Sequence, residues 1–477
     1  MNRPNEWEMT IGLEIHCQVA TKSKLFSRTP YRFDAEPNTQ ISEICTGQPG
    51  TLPVLNREAV RKTVLLGCAI GSRVAPFCKF DRKSYFYPDN PRNFQITQYD
   101  MPLLIGGSIE ALVDGEKRSF SINRAHLEDD TGSMKHFKDC TVVDFNRAGV
   151  PLIEIVSDPC FSSAEEASAY AESLKLILEY LEVSHCDMEK GELRFDVNLS
   201  VRPKGETHLR TRIEIKNINS FQELRNAIRY EKQRQIDLYL EHWPQEHVFD
   251  QETYRWDQVQ QKSVKMRAKE TASDYRHFTE PNLVPLLISK EEVERTKLEV
   301  TSLPLDRLEG YLKMLPLRTG LQLIQKRKLS DFFDEACRHH NSPRAIASWV
   351  LVEFQGHLKK KNIWETSILP EEVAFLARAV ETHRLSSAQA KEVAEERVHS
   401  GLSCMELAEK HPPMMSDEKE LIALVHSVAQ DCPQAVEDLK GGNERSMKSL
   451  MGEAMKRTKG KANPKVLRQC FEQTLLS

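Results

Sequence analysis

Glu14 and His16 stand two residues apart in IGLEIHCQV (11–19), and a carboxylate recurs in a similar setting four more times along the chain. NRAHLEDDTG (123–132) aligns Arg124, His126, Glu128 and Asp130 when extended. PLIEIVSD (151–158) carries Glu154 inside an otherwise apolar run. LRFDVNLSV (193–201) sets Arg194, Asp196, Asn198 and Ser200 in one row, and TRIEIKN (211–217) does the same with Arg212, Glu214 and Lys216. Carboxylates gathered on one surface repel each other unless something positive sits among them. Hard divalent cations with oxygen ligands meet that need, and Mg²⁺ commonly completes its shell with substrate phosphates. Arg and Lys in the same rows suit phosphate oxygens. The chemistry on offer is metal-assisted phosphoryl transfer or metal-dependent hydrolysis, and the spacing is common to both.

Each row needs a strand to present it. In IGLEIHCQV, Ile11, Leu13, Ile15, Cys17 and Val19 share one face, with Gly12, Glu14, His16 and Gln18 on the other. That period of two describes a strand with one face on a core. A single polar row is what a solvated antiparallel face looks like, laced by cross-strand ion pairs. Glu154 is harder to place that way, because a carboxylate within PLIEIVS is costly if buried unpaired. If the five strands share one sheet, their rows line one concave surface.

Between these strands the periodicity predicts two helices, over 162–182 and over about 221–240. Ser162 and Ser163 read as caps of the first. Near residue 285 strand signals fade, and segments such as LSDFFDEACRHH and PEEVAFLARAVETH read as helices to the end of the chain. The expected class is α+β followed by helical modules. A length of 477 residues suggests two to four domains. No run of about 18 apolar residues suggests a membrane span, and MNRPNEWEMT has no secretory h-region. The net charge of −4 makes any nucleic-acid surface a local patch. Eleven scattered cysteines without a CxxC pair fit reduced cytosolic thiols. GxxxxGK[ST] does not occur, so a P-loop is not the nucleotide site, and no Gly/Ser-rich amidase-like stretch is present.

WEMTIGLEIHCQV, GQPGTLPVLN, FDRKSYFYPDNPRNFQITQYD, HLEDDTG, DFNRAGVPLIEIVSDP, RFDVNLSVRP, TRIEIKNINSF, QETYRWD and MRAKETASDYRHF resemble the B subunits of the aspartyl/glutamyl-tRNA amidotransferases. The tail, AVEDLKGGNERSMKSLMGEAMKRTKGKANPK, is similar to the same family's. The resemblance implies an ATP- and Mg²⁺-dependent ligase that phosphorylates the side-chain carboxylate of Glu-tRNA(Gln) or Asp-tRNA(Asn). Ammonia from a glutamine-hydrolysing amidase subunit (A) then displaces phosphate, and a small subunit (C) completes a cytoplasmic complex. A metal-dependent hydrolase and a non-enzymatic tRNA-binding scaffold are the competing classes.

The resemblance further implies an antiparallel-sheet cradle like that of glutamine synthetase at 1–290, a helical domain at 291–405 and a tRNA-binding tail at 406–477. It assigns metal-site roles to Glu14, His16, Glu128, Glu154, Asp196 and Glu214. Glu128 and Glu154 join Arg194, Arg212 and Lys216 as catalytic candidates, and Lys83, Asp196 and Asn217 are candidates for nucleotide contact. Lys456, Arg457, Lys459 and Lys461 are expected to touch tRNA phosphates. Relatives often carry a zinc site where this chain has Ser27, Thr29, Ser42 and Cys45. One thiol cannot hold a structural zinc, so none is expected. Phe195, where a cysteine is common, is expected to pack.

Overall fold

The computed structural model describes residues 3–266, 275–411, 414–415, 417–458 and 460–475. The chain divides into two compact units, Met1–Asp306 and Arg307–Ser477.

The first unit is built on one large sheet. Its long strands are β1 (Trp7–Gln18), β5 (Glu116–Asp129), β6 (Pro151–Ser157), β7 (Leu193–Pro203), β8 (Ile213–Ile218), β9 (Glu252–Asp257) and β10 (Lys262–Lys265). They lie in the order β10-β9-β8-β7-β1-β6-β5, and short strands at Leu104–Ile105 and Arg73–Val74 continue the sheet. The hairpin partner of β5 is β4 (Ser108–Val113). A separate three-stranded sheet joins β2 (Asp81–Ser84), β3 (Phe94–Thr97) and β11 (Phe278–Thr279).

One pairing departs from the expected antiparallel sheet: β8 and β9 run parallel. The cause is the connection between them. Helix α3 (Phe221–Glu241) lies between the two strands in sequence and returns the chain to the same end, as parallel neighbours require.

The apolar rows form the core. Ile11, Leu13, Ile15 and Cys17 of β1 pack with Leu193, Phe195, Val197 and Leu199 of β7, all essentially inaccessible to solvent. Helices α1 (Arg57–Ala69), α2 (Ala164–Tyr180) and α3 join this core with Leu65, Tyr170, Leu174, Leu178, Leu224 and Ile228. Each such side chain contributes about 1.5–3 kcal/mol on burial. Phe195 packs against Phe221 with ring centroids 5.5 Å apart, the packing role expected of it. Ser163 caps α2 by accepting from the Glu166 N–H at 3.0 Å. Ser162 instead donates to the Glu166 carboxylate through its N–H and hydroxyl. Ser220 caps α3 in the same manner as Ser163.

The described part of the second unit is predominantly helical. Three of its helices are α4 (Pro370–Glu381), α5 (Ser387–Ser400) and α6 (Cys404–Glu409). Pro370 fits the first turn of α4, where its missing N–H costs nothing. Gly401 ends α5 in the left-handed conformation that a Cβ would strain. Helices Glu418–Asp431, Glu444–Arg457 and Pro464–Leu475 share a core of their own around Leu421, Val425, Leu450, Leu467 and Phe471.

Candidate functional site

Strand register turns five separate polar rows into one surface. Across the ladder Glu14 faces Asp196, His16 faces both Glu154 and Arg194, Glu154 faces His126, and Asn198 faces Glu214. Directly opposed side chains have Cβ atoms about 4.5–5.5 Å apart. Two groups result, His16 with Glu128 and Glu154, and Glu14 with Asp196 and Glu214. Within each, one ligand atom per residue lies within 4.8 Å of the others.

In the first group His16 Nε2 lies 3.6 Å from Glu154 and 4.0 Å from Glu128. His126 Nε2 lies 3.5 Å from Glu154 and 3.8 Å from Glu128. Thr97 of β3 donates to Glu128 at 3.1 Å. Burial works against the charge on Glu154, but the His126 charge and the His16 hydrogen bond outweigh it and hold the carboxyl well below its ordinary range. Burial likewise opposes ionisation of Glu128, which the His126 hydrogen bond and the Lys83 charge pull down. Burial disfavours the His16 imidazolium, yet the Glu154 hydrogen bond and charge raise it overall.

In the second group Lys216 supplies the positive charge, donating to Asp196 at 2.9 Å and reaching Glu214 at 2.8 Å. Burial would lower its ammonium, and the Asp196 and Glu214 charges lift it far above the ordinary lysine range. Thr253 of β9 donates to Glu214 and Asn198 donates to Glu14. Glu14 is pushed up, by burial first and by the Glu154 charge second.

The remaining expected residues divide by position. Lys83 of β2 is half-buried; burial disfavours its charge, while Glu128 and Glu154 favour it and raise its pKa overall. Arg194 donates to Asp130 at 3.0 Å, and Asp130 also accepts from Gln18 and lies 3.6 Å from Arg147. This places Arg194 in a latch beside the first group, engaged with protein rather than aimed outward. Arg212 is exposed, and the Gln251 amide faces its guanidinium at 3.0 and 3.1 Å. Asn217 is also exposed and has a left-handed φ of 65°. Its visible work is in the backbone, since the β7–β8 register shifts here and the bulge sets Lys216 across from Asp196.

A groove of about 560 Å³ opens beside the second group, lined by Thr10, Gly12, Glu14, Asn198, Arg212 and Gln251 among others. That size falls in the usual range for small-molecule sites. His126, which the resemblance gives no site role, joins the first group, and its alternation with Glu128 is the signal in the sequence. Thr97 and Thr253 come from other strands and carry no such signal.

Ser27, Thr29, Ser42 and Cys45 converge, and polar contacts hold their loop where packing alone is the expectation. Cys45 Sγ lies 3.6, 3.9 and 3.3 Å from the three hydroxyls and 3.5 Å from the Lys24 ammonium. Lys24 also donates to the Gln40 carbonyl at 2.7 Å. In the tail, Lys456 and Lys461 are exposed, and Lys459 lies outside the described residues. Arg457 is bound within the chain, to Asp431 at 2.7 Å and Glu453 at 3.1 Å.

Residues 9–294 match the family model described as GatB/GatE catalytic domain, and residues 331–475 match that described as GatB domain. Among curated proteins the chain is similar to the B subunit of the aspartyl/glutamyl-tRNA(Asn/Gln) amidotransferase of Protochlamydia amoebophila, at 46% identity over 99% of this chain and 97% of that one. It is similar also to the B subunits of the same enzyme from Chlamydia muridarum and Chlamydia trachomatis, each at 47% identity over 96% of both chains.

Proposed function

Because the chain belongs to the family of amidotransferase B subunits that carry the GatB/GatE catalytic domain, we propose that the polar face of its sheet is an ATP-dependent site acting on charged tRNA. The reading is that the side-chain carboxylate of Glu-tRNA(Gln) or Asp-tRNA(Asn) attacks the γ-phosphorus of ATP. ADP leaves, and ammonia then displaces phosphate from the acyl phosphate to give the amide. The ammonia comes from glutamine hydrolysed in an amidase subunit (A), with a small subunit (C) in the same cytoplasmic assembly.

The observation that carries this reading is the pair of adjacent three-ligand groups on one sheet face, rimmed by Lys83, Lys216 and Arg212. Both groups are rich in carboxylate oxygen and fit a hard cation such as Mg²⁺. His16, Glu128 and Glu154 would hold one ion, and Glu14, Asp196 and Glu214 another. When bound, the ions would neutralise charge on the transferring phosphoryl group. Arg212 lines the groove, where phosphate oxygens of a nucleotide could accept from it, and Lys216 balances the Asp196 and Glu214 charges of the second group. Arg194, anchored on Asp130, keeps a fixed positive charge next to His16. The sheet is thus read as a cradle of the kind found in glutamine synthetase. Residues 1–290 would form it, with 291–405 as a helical domain and 406–477 as the tRNA-binding tail.

The test uses the chain reconstituted with its amidase and small subunits, the glutaminase disabled and ammonium supplied. ADP release is expected to require Glu-tRNA(Gln). Equal release without charged tRNA would return the site to a hydrolase or scaffold role.

Two corollaries are measurable. Of the expected tRNA contacts, Lys456 and Lys461 are exposed, while Arg457 is engaged by Asp431 and Glu453, so Lys456→Ala with Lys461→Ala is expected to weaken tRNA binding and flatten its salt slope by about 1–2. An unchanged slope would remove the tail from the interface. The Cys45 loop has one thiol and a lysine ammonium at its centre, a poor setting for a second cation. Elemental analysis of the purified chain is therefore expected to find no stoichiometric zinc.

A further inference from the structure

A line of rings leads outward from the first carboxylate group. Lys83 and Thr97 project from the same side of the β2–β3 pair, where Lys83 faces Gln95 and Asp81 faces Thr97. Thr97 touches Glu128. On the other side of Lys83, its ammonium lies 5.0 Å from the centre of the Tyr275 ring. Tyr275 meets His277 at 5.9 Å edge to face, and His277 stacks on Tyr99 at 4.0 Å with planes 8° apart. Tyr85 packs on Tyr275 from the side at 6.2 Å.

The line is held from the backbone. Asp81, itself buried, accepts from the Tyr99 N–H at 3.1 Å. Ser84 N–H donates to the Tyr275 carbonyl at 2.9 Å. Yet its outer end is not core: Tyr99 keeps 60% of its surface exposed, and Phe86 and Tyr87 nearby in the chain keep 78% and 53%. A solvent-facing, co-planar pair of rings contributes little to folding, but it is the arrangement that a third flat ring can extend. Proteins hold unpaired nucleotides in this way, by stacking bases on aromatic side chains beside cations for the phosphates. Lys83 supplies such a cation at the inner end of the line.

We propose that Tyr275, His277 and Tyr99 form a stacking platform for an unpaired nucleobase at the single-stranded end of the charged tRNA, guiding the attached amino acid past Lys83 to Glu128 and Glu154. This rests on the function proposed above. The groove beside Glu14 and Arg212 lies toward the β7–β8 side of the face, whereas the platform adjoins the β5 side. Nucleotide and tRNA end would therefore approach the carboxylates from different directions. A nucleobase could also belong to ATP, and the test separates the two sources.

The reconstituted complex is used with ammonium as nitrogen donor, comparing the natural chain with Tyr99→Ala and Tyr99→Phe. Charged-tRNA-dependent ADP release by the natural chain is measured first; without it the functional reading itself fails. Given that release, Tyr99→Ala is expected to raise KM for Glu-tRNA(Gln) roughly 5- to 160-fold, the span for one base stacked on one ring. KM for ATP and kcat at saturation should stay within about twofold, and Tyr99→Phe should restore KM. In parallel, tRNA(Gln) with 2-aminopurine at its terminal base should be quenched on binding the natural chain and Tyr99→Phe, but not Tyr99→Ala. A rise confined to KM for ATP would assign the platform to the nucleotide and overturn the proposal. Unchanged KM values with quenching intact in Tyr99→Ala would overturn it as well.

Discussion

Glu154→Gln is expected to lower charged-tRNA-dependent ADP release by roughly 10²–10³-fold, the usual effect of removing one preorganised electrostatic partner from a reacting phosphoryl or oxyanion. The substitution keeps the shape and removes one charge. Glu154 is the residue that both imidazoles approach, with His16 at 3.6 Å and His126 at 3.5 Å. Losing its charge therefore loosens both histidines and any cation held with Glu128. Its carboxylate faces into the cluster and is largely buried, so tRNA binding in a filter or titration assay should stay within about twofold. Glu128→Gln should behave alike. The double variant should cost little more than either single, because members of one catalytic unit are strongly non-additive. Activity within fivefold of the natural chain would mean that this cluster is a structural ion-pair network and not the site of transfer.

Glu372→Gln is expected to destabilise the second unit by about 3–5 kcal/mol, the cost of leaving a buried charge without its partner. Glu372 accepts from Arg397 at 2.7 and 3.1 Å, from the Leu369 N–H at 2.7 Å and from the Cys404 N–H at 2.9 Å. One carboxylate thus ties together α4, α5 and α6. Burial raises its pKa, but Arg397 and the two backbone donors pull it below 4.5 overall. A carboxyl with a depressed folded-state pKa adds stability above its unfolded value. That stability is lost as pH falls from about 4.5 through the lower folded value. Melting of the natural chain should therefore fall in this window, while Glu372→Gln starts lower and loses less. Pairing Glu372→Leu with Arg397→Met should recover only part of the loss, since two backbone donors remain without an acceptor. A melting temperature unchanged in Glu372→Gln would rule the network out as a source of stability.

How far the site could be read from sequence follows from what each residue depends on. The rows of Glu14, His16, Asp196 and Glu214 were legible because a strand has a period of two and the opposite row was uniformly apolar. That five rows would meet was not, since register is set by partners more than a hundred residues away. Lys216 illustrates the difference. Its row was evident, but the bulge at Asn217 that sets it across from Asp196 is a property of two strands together. Arg194 and Arg457 show the converse: their charges were plain, while the acidic partners that engage them, Asp130 and Asp431, are contributed by tertiary structure. The parallel β8–β9 pair is not legible in the sequence, because strand direction depends on the connection and not on the strand's own residues. The boundary between sheet and helices was easier, since period and composition change together near residue 285.

Strand β1 is interior to the large sheet, paired on one side with β6 and on the other with β7. During synthesis it leaves the ribosome long before either neighbour exists. Its pairings join Gln18 to Leu152 and Trp7 to Pro203. At about 5–20 residues per second, the roughly 135–200 residues between partners take about 7–40 s. For that interval Ile11, Leu13 and Ile15 have no sheet to join, and their alternating apolar edge is open to pairing with other chains. A nascent chain stalled before residue 150 would hold Glu14, His16 and Glu128 without the strand that brings them together. Ribosome-associated chaperones are thus expected to engage this chain early and release it only after β7 emerges.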